Sequence, residues 1–351
     1  MKELQLPSRT ITKDSSVYII AEMSASHAGS LHYALELVHI AKECGADCIK
    51  TQTYTADTLT LNCRNKDFLI KGGLWDGYCY HDLYEKAMTP WEWQGKIKEE
   101  AKKVGIDFFS TPFDQTAVDF LEEIGVEFYK IAAFEMVDIP LIRYVASKRK
   151  PIIMSTGMAT VEEIKEAVST VYAERNEQLA LLKCSSLYPA KLEDMNLITI
   201  SDLKQHFGVI TGLSDHTFGS VSAVLSVALG AKIIEKHICL DRNIPNNPDA
   251  GFSMEPEEFK QMVADIRNAE TAIGTQPYTY AQTEIDSRNS RRSLYISLDM
   301  KKGDIFTPDN IRSVRPGFGL HTRYYEQILG KHIMQDAKMG TPLSWEMVDK
   351  I

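Results

Sequence analysis

The sequence of 351 residues lacks the marks of secreted, membrane-spanning and nucleic-acid-binding proteins. Its six cysteines include no C-x-x-C pair, which indicates free thiols and a cytoplasmic protein rather than a disulfide framework. The longest uncharged apolar run, 217–231, is shorter than the roughly 20 residues of a membrane span, and no secretion signal is recognisable. With 39 basic and 48 acidic residues, the net charge of −9 argues against a nucleic-acid partner.

What the sequence does contain is a regular alternation of strand and helix patterns over residues 1–275. Eight β-branched or aromatic runs are each followed by an amphipathic stretch, which is the unit count of an α/β fold with a (β/α)8 TIM barrel. The predicted strands are 17–22, 47–52, 107–111, 126–131, 151–155, 179–184, 208–214 and 232–237. The predicted helices are 30–44, 90–104, 115–124, 138–148, 160–173, 197–206, 219–229 and 256–273.

Three further segments depart from that alternation. Residues 276–290 are polar and aperiodic, which predicts a linker, and residues 291–351 hold the short strands and turns of a small β-rich domain. The insert 53–89 is predicted to be a loop over the barrel mouth. Aromatic side chains in and after this insert either stack on a sugar or fill the loop's own core: Trp75, Tyr78, Tyr80, Trp91 and Trp93.

Polar side chains collect at the carboxyl ends of the predicted strands, where barrel enzymes carry out their chemistry. His216 and His237 end adjacent strands and could hold a divalent metal ion with open coordination positions. The alternative is a pair of hydrogen-bonding histidines.

Lysines at the same ends predict an anionic ligand. Lys50 and Lys130, with hydroxyl groups on neighbouring strands, suit a phosphate or carboxylate. The alternative for each lysine is an ion pair with Glu22 or Glu235. Lys183 has a rival role as a Schiff-base nucleophile.

Two carboxylates at these ends are candidates for proton transfer. Glu22 and Glu135 could act as general acid or base if their surroundings raise the pKa of either side chain. The alternative for each is a salt bridge to the lysines.

Nine ordered motifs and the tail together resemble one known family. The motifs are IAEMSASHAGS (20–30), GADCIKTQTY (45–54), FFSTPFD (108–114), YKIAAFE (129–135), PIIMSTGMA (151–159), LLKCSSLYP (181–189), GLSDHTFGS (212–220), EKHICLDR (235–242) and NPDAGFSMEPEEF (247–259). With the tail 291–320, they resemble the nonulosonic (sialic) acid synthase family, in which a TIM barrel precedes an SAF, or antifreeze-like, domain. EMSAS and the segments 75–93 and 134–142 resemble its pseudaminic acid synthase subgroup.

The resemblance implies an enzyme that condenses phosphoenolpyruvate (PEP) with 2,4-diacetamido-2,4,6-trideoxy-L-altrose to give pseudaminic acid and phosphate. The alternative is an N-acetylneuraminic or legionaminic acid synthase that uses the corresponding mannosamine sugar. The family uses Mn²⁺ or another divalent ion, such as Mg²⁺ or Co²⁺, and the matching ligand positions are His216 and His237.

The resemblance also assigns the remaining site residues by position. The PEP-binding positions are Lys50, Thr111, Lys130, Ser155, Ser186 and Ser214, and the sugar-binding positions are Glu22, Gln52, Tyr188 and Asp249. Glu22, Glu135 and Lys130 are the expected catalytic residues, and Arg315 is expected to reach the partner's site in a domain-swapped homodimer. Ala133 stands where the family motif usually has Ser, so one hydroxyl donor to PEP is missing.

Overall fold

A computed structural model describes residues 2–349, and the chain divides between Gly274 and Thr275 into two compact units. In the first unit, eight parallel strands close into a barrel, so the predicted TIM barrel is confirmed. These strands are β3 (Tyr18–Glu22), β4 (Cys48–Thr53), β5 (Asp107–Pro112), β6 (Tyr129–Ile131), β7 (Ile152–Ser155), β8 (Leu179–Cys184), β9 (Ile210–Asp215) and β10 (Ile233–His237). Around the barrel the strand order is β10-β3-β4-β5-β6-β7-β8-β9.

The barrel interior is apolar at one end and polar at the other. Interior side chains from the amino-terminal parts of the strands, such as Tyr18, Phe109 and Ile233, form one apolar cluster. A short hairpin of β1 (Leu4–Gln5) and β2 (Thr10–Ile11) adds Leu4 and Ile11 to this cluster. The carboxyl-terminal ends of the same strands are therefore left to hold polar side chains in the interior.

Along each strand, the side chains that alternate with the interior ones point outward, and Ile19 and Leu181 are examples. The surrounding helices pack against these outward-facing apolar side chains. Several helices begin at a capping side chain; Thr160 and Glu163, for example, form a reciprocal capping box at the start of the helix Val161–Ala173. The helices are α1 (Leu31–Glu43), α2 (Ala56–Leu59), α3 (Tyr80–Ala87), α4 (Trp91–Val104), α5 (Gln115–Glu123), α6 (Ile139–Ser147), α7 (Val161–Ala173), α8 (Thr199–Phe207), α9 (Val221–Ala228) and α10 (Pro256–Ile273).

The insert 53–89 is not a loop throughout, as its Tyr-, Gly- and Asp-rich composition predicted. It contains the one-turn helix α2 and the longer α3, which buries His81 and Leu83. These two buried side chains are two residues apart, so they do not show the 3.6-residue repeat of apolar positions by which a helix is recognised in a sequence. The sequence pattern therefore missed α3.

The second unit has its own apolar core around two antiparallel strands, β11 (Ser293–Ile296) and β12 (Ile311–Val314). Within the described residues that follow the start of β11, the longest helix is the four-residue α12 (Tyr325–Ile328). The segment predicted as a linker holds α11 (Gln282–Asp286), whose residues are all exposed. No helix within residues 2–349 is both long and apolar enough to cross a membrane.

Candidate active site

The register of three neighbouring strands places three of the predicted site residues in one row. His237 of β10 pairs with Glu22 of β3, and Glu22 pairs with Lys50 of β4. On the other side of β10, Glu235 pairs with Ser214 of β9. The carboxyl end of the barrel therefore brings a histidine, two carboxylates and a lysine together, all of them buried.

Buried ion pairs hold both lysines. The Lys50 Nζ lies 2.9 Å from Glu22 Oε2 and 3.4 Å from Glu235 Oε2, and the Lys130 Nζ lies 3.7 Å from Glu235 Oε1. The ion pairs proposed as an alternative to ligand binding are therefore present. These ion pairs do not exclude binding of an anion, because both lysines also donate hydrogen bonds to hydroxyl groups in the barrel interior.

Three hydroxyl groups complete the surroundings of the lysines. Lys130 donates to Ser155 Oγ at 2.7 Å, Lys50 donates to Thr111 Oγ1 at 3.3 Å, and Ser214 Oγ donates to Glu235 Oε1 at 2.9 Å. Each of these hydroxyls was predicted from the sequence to bind PEP. The structure brings Thr111 and Ser155 to the lysines, and it brings Ser214 to the carboxylate that pairs with both lysines.

Glu235 links the two lysines, and the sequence interpretation named it only as an ion-pair partner. Burial disfavours its charged form, but Lys130 and Lys50 outweigh that effect and lower the pKa of Glu235 to about 2. Burial lowers the pKa of Lys130, whereas Glu22 and Glu235 outweigh burial and raise the pKa of Lys50. The signal for Glu235 was its spacing, since it shares a strand face with His237.

Several predicted site residues bury polar atoms that make no hydrogen bond within the described chain. Two of these atoms, Oε2 of Glu135 and Oγ of Ser186, also have no ion-pair partner within 4.0 Å in the described residues. Burial raises the pKa of Glu135 to about 7, which suits a group that exchanges a proton near neutral pH. Buried polar atoms are nearly always paired, so these two are candidates for contact with a ligand.

Close packing fixes the segment that carries Ser186. A Cβ on Gly157 would lie 2.5 Å from the Cβ of Ala133 and 2.9 Å from the Ser186 Oγ. Gly157 also has a φ of +49°, which favours glycine. Ala133, Gly157 and Ser186 thus approach one another more closely than any larger residue at position 157 would allow.

The two histidines lie side by side, with ring centres 5.3 Å apart. His216 Nδ1 donates to the Ser185 carbonyl oxygen at 2.8 Å, which leaves the lone pair of its Nε2 free for a metal ion. Burial lowers the pKa of His237 well below its ordinary value, and no atom of residues 2–349 is hydrogen-bonded to its Nδ1. His237 is therefore a neutral imidazole, whereas Cys184 outweighs burial and raises the pKa of His216. Two adjacent imidazoles fit a divalent metal ion, which would displace the proton of His216 on binding.

The predicted sugar-binding residues border the same row. Gln52 Nε2 donates to Glu22 Oε1 at 2.9 Å and to Ser24 Oγ at 3.0 Å. Asp249 Oδ2 accepts a hydrogen bond from the Ala25 backbone N–H at 3.1 Å. These contacts form a polar side of the site.

An aromatic cluster lies beside the histidines. The ring centre of Tyr188 is 4.3 Å from that of His216, and the ring centre of Phe252 is 4.8 Å from that of His237. Trp75 of the insert contacts both residues, with its ring centre 5.8 Å from that of Tyr188 and 6.3 Å from that of Phe252. Trp75, Tyr188 and Phe252 are called the aromatic cluster below.

The other aromatic residues of the insert region contact different partners. Tyr80 stacks on Tyr84, whereas Trp91 contacts Phe120 and donates its indole N–H to the Tyr54 carbonyl oxygen. Local packing, one of the two alternatives left open by the sequence, is therefore present for Tyr80 and Trp91, and stacking on a sugar stays a prediction for Trp75. Trp75 lies at the site, and the others pack locally.

Lys183 does not face the barrel interior. It alternates along β8 with Ala180, Leu182 and Cys184, of which Ala180 and Leu182 belong to the interior cluster and Cys184 contacts His216. Its Nζ donates to the Cys184 carbonyl oxygen at 2.8 Å. The Schiff-base alternative is therefore wrong on geometry, because a substrate in the barrel mouth cannot reach this amine.

A second group of metal-ligating types lies on α3, where His81, Asp82 and Glu85 bring ligand atoms within 4.8 Å of one another. Two of the three are already engaged, because His81 pairs with Asp57 and Arg64 pairs with Asp82. The group is also partly exposed. The histidine pair in the barrel is therefore the better candidate for a metal ion.

Arg315 belongs to the second unit, where its side chain is exposed. The structure of a single chain leaves its predicted role in a partner's site untested. The Arg315 assignment stays a prediction.

Comparison with known proteins identifies two families along the chain: the NeuB family over residues 37–278 and the SAF domain over residues 291–349. A pseudaminic acid synthase of Campylobacter jejuni is 48% identical over 94% of this chain and 96% of its own length. An N,N'-diacetyllegionaminic acid synthase of Legionella pneumophila is 36% identical over 95% of this chain and 94% of its own length.

A solved structure agrees with these matches. The crystal structure of an N-acetylneuraminic acid (sialic acid) synthetase from Leptospira borgpetersenii, in complex with citrate, superposes with a TM-score of 0.73 at 33% identity. It covers 82% of this chain and 97% of its own. The family resemblance carried by the motifs is confirmed: this chain belongs to the NeuB family and carries an SAF domain.

Proposed function

We propose that this chain is a pseudaminic acid synthase, which condenses PEP with 2,4-diacetamido-2,4,6-trideoxy-L-altrose to give pseudaminic acid and phosphate. The observation that carries this choice is its identity to the Campylobacter pseudaminic acid synthase, 48%, against 36% for the legionaminic acid synthase. The residues at the barrel mouth supply the chemistry that such a condensation needs.

PEP carries a phosphate and a carboxylate, and the buried lysines are suited to both. Lys50 and Lys130 donate to the anion, with hydroxyl contacts from Thr111, Ser155 and Ser214. The unpaired Oγ of Ser186 gives a further donor. Glu235 holds the two ammonium groups at fixed positions before the ligand arrives.

The sugar binds on the polar side of the site through Glu22, Gln52 and Asp249, with Tyr188 beside its aldehyde end. Glu22 and Gln52 are hydrogen-bonded to each other, so both are already oriented for a polyhydroxylated chain. Binding in this place brings the aldehyde carbon to C3 of PEP.

His216 and His237 would hold the divalent ion, for which we propose Mn²⁺, with Mg²⁺ or Co²⁺ as substitutes. When bound, such an ion polarises an oxygen of the substrate as a Lewis acid. The chain prepares this position by fixing the His216 tautomer through Ser185 and by keeping His237 neutral.

The bond changes assign roles to the carboxylates. C3 of PEP attacks the aldehyde carbon, the aldehyde oxygen takes up a proton, and C2 of PEP becomes electron-poor. Water adds to C2 and gives one proton to Glu135, whose pKa of about 7 suits a general base, and this proton balances the one taken up by the aldehyde oxygen. The C2–O bond to the phosphate then breaks while the new C2 hydroxyl gives its proton to the departing phosphate, which leaves the keto acid and inorganic phosphate.

The proposed active unit is a homodimer in which the partner subunit's Arg315 reaches the barrel mouth. Its support is the resemblance of RPGFG in the tail to the family motif. The SAF match over residues 291–349 includes this segment.

The function is tested by measuring phosphate release from PEP with three sugars: the diacetamido-trideoxy-altrose, N-acetylmannosamine and the 2,4-diacetamido-6-deoxy mannosamine. Release with the first sugar alone, abolished by EDTA and restored by Mn²⁺, is the expected result. Release only with one of the mannosamines moves the assignment to another nonulosonic acid. No release with any sugar contradicts the enzyme assignment.

A further inference from the structure

The site joins two chemically different sets of residues. Glu22, Gln52 and Asp249 are charged or carry an amide, and they suit the hydroxyl and amide groups of a sugar. The other set, the aromatic side, is the aromatic cluster, in which Phe252 is 3% exposed and Trp75 is partly buried. A ligand that contacts both sets is matched best when it presents polar groups to the first and apolar groups to the second.

Trp75 is held in place rather than left free on the insert. Its indole N–H donates to the Pro248 carbonyl oxygen at 3.1 Å, one residue before Asp249. Because this bond uses the only polar atom of the indole, the ring offers the site an aromatic face and no hydrogen-bond donor. Phe252 likewise offers only its ring.

A hydroxyl group placed against these rings would lose its water without gaining a partner, whereas a methyl group would gain apolar contact. The proposed sugar has methyl groups where common hexosamines are polar: C6 is a methyl group, and C4 carries an acetamido group in place of a hydroxyl. Its apolar substituents therefore match the aromatic side.

We propose that Trp75, together with Phe252, is a specificity-determining residue that selects a deoxy, diacetamido sugar by contact with its methyl groups. The proposal rests on the proposed function, since it concerns the sugar of that same reaction. It assigns to the insert a direct part in substrate choice.

The test compares the altrose substrate with two analogues, one bearing a hydroxyl at C6 and one bearing a hydroxyl in place of the 4-acetamido group. We expect Trp75→Ala to lower kcat/KM for the parent sugar about tenfold through KM, and to reduce the preference over at least one analogue about three- to tenfold. The KM for PEP is expected to stay within about twofold.

Two further variants separate selectivity from simple anchoring of the insert. Trp75→Phe keeps an aromatic face but loses the bond to Pro248, so it should retain the preference. Tyr78 lies on the same insert, where its ring contacts Lys86 rather than the aromatic cluster. Tyr78→Ala should therefore change neither the KM for the sugar nor the preference between sugars.

The outcomes distinguish this inference from the function on which it rests. If wild-type protein does not use the altrose sugar, the proposed function fails. If wild-type protein uses it but Trp75→Ala keeps both preferences unchanged, only the specificity role is wrong. An equal loss of preference in Tyr78→Ala would likewise contradict it, because the effect would then belong to the insert as a whole.

Discussion

Glu135 is placed to move a proton at neutral pH, and burial is the physical cause. Loss of water destabilises the charged carboxylate and raises its pKa to about 7, and within the described residues its Oε2 has no hydrogen-bond partner to reverse the effect. Burial raises the pKa of Glu22 as well, but Glu22 is ion-paired with Lys50 and hydrogen-bonded to Gln52. We therefore propose Glu135, rather than Glu22, as the base for the attacking water.

Glu135→Gln is expected to remove a pH dependence as well as lower the rate. A base is active when ionised, so kcat/KM of the wild type should rise with pH up to about 7 and level off above it. The variant should lose about 100-fold in kcat and show no such rise. A pH profile of kcat/KM between pH 5 and pH 9, at fixed ionic strength, measures this.

The exposed Glu99 of α4 provides the control, and Glu99→Gln should keep the wild-type profile. Persistence of the rising limb in Glu135→Gln would assign it to another group. A wild-type rate that falls through pH 7 would show that the group acts as an acid.

Lys130 and Lys183 form a natural pair for testing the anion site, since both are buried but face opposite sides of the barrel wall. Lys130→Met removes a charged donor and should raise the KM for PEP about 10- to 100-fold. Lys183→Met should leave both KM values within about threefold. Steady-state kinetics with PEP as the varied substrate measures the difference.

The contrary results are distinct for the two lysines. Unchanged PEP binding in Lys130→Met would remove this lysine from the anion site. Trapping of a pyruvate adduct on Lys183 by borohydride would restore the Schiff-base mechanism that the geometry excludes.

Residue types at the ends of single strands could be predicted from the sequence, but their coupling could not. Lys50, Lys130 and the two histidines follow from the position of strand ends and the alternation of faces. Glu235 pairs with both lysines because the barrel closes. Closure places β10 beside β3, and the side chain of Glu235 then reaches Lys130 of β6 across the barrel interior. No local sequence pattern predicts the distance between Glu235 and Lys130.

At the scale of elements, the barrel strands were predictable because each is short, apolar and followed by an amphipathic helix. The predicted 179–184 agrees with β8, and the predicted 256–273 agrees with α10. The insert was not predictable in the same way, because its conformation depends on tertiary contacts such as that between Trp75 and Pro248. Such contacts leave no periodic trace in the sequence.

Gly157→Ala tests how tightly the segments after β6, β7 and β8 pack at the mouth. The left-handed backbone and the close approach of Ala133 and Ser186 should together lower the free energy of unfolding by about 3 kcal/mol. Movement of Ser186 should also raise the KM for PEP. Urea denaturation and PEP kinetics measure the two effects.

Gly208→Ala separates backbone strain from crowding. Gly208 ends α8 with a φ of +64° and has no atom within 4 Å of an added Cβ. This variant should lose only about 1 kcal/mol and keep the wild-type KM. Equal destabilisation of both variants, with PEP binding unchanged in both, would show that packing at Gly157 does not position Ser186.

At the scale of the whole molecule, net charge is a poor guide to the ligand. The chain carries −9 overall, yet its barrel mouth concentrates Lys50 and Lys130 in a buried interior where their field is weakly screened. Two glutamates balance them before a ligand binds. An acidic protein can therefore hold a strongly anionic substrate without a basic surface.

The proposed exchange of Arg315 makes the dimer, rather than the chain, the active unit, and complementation tests this directly. At a PEP concentration below the wild-type KM, Arg315→Ala and Lys130→Met should each be nearly inactive alone. Co-expressed with different affinity tags and purified through both, the mixed dimer has one site with both defects and one with neither. At the same PEP concentration it should therefore show about half the wild-type rate per dimer. If Arg315 acts within its own chain, each site carries one defect and the mixed dimer stays inactive, which contradicts the exchange of Arg315 between subunits. If no doubly tagged species is recovered, the homodimer itself is contradicted.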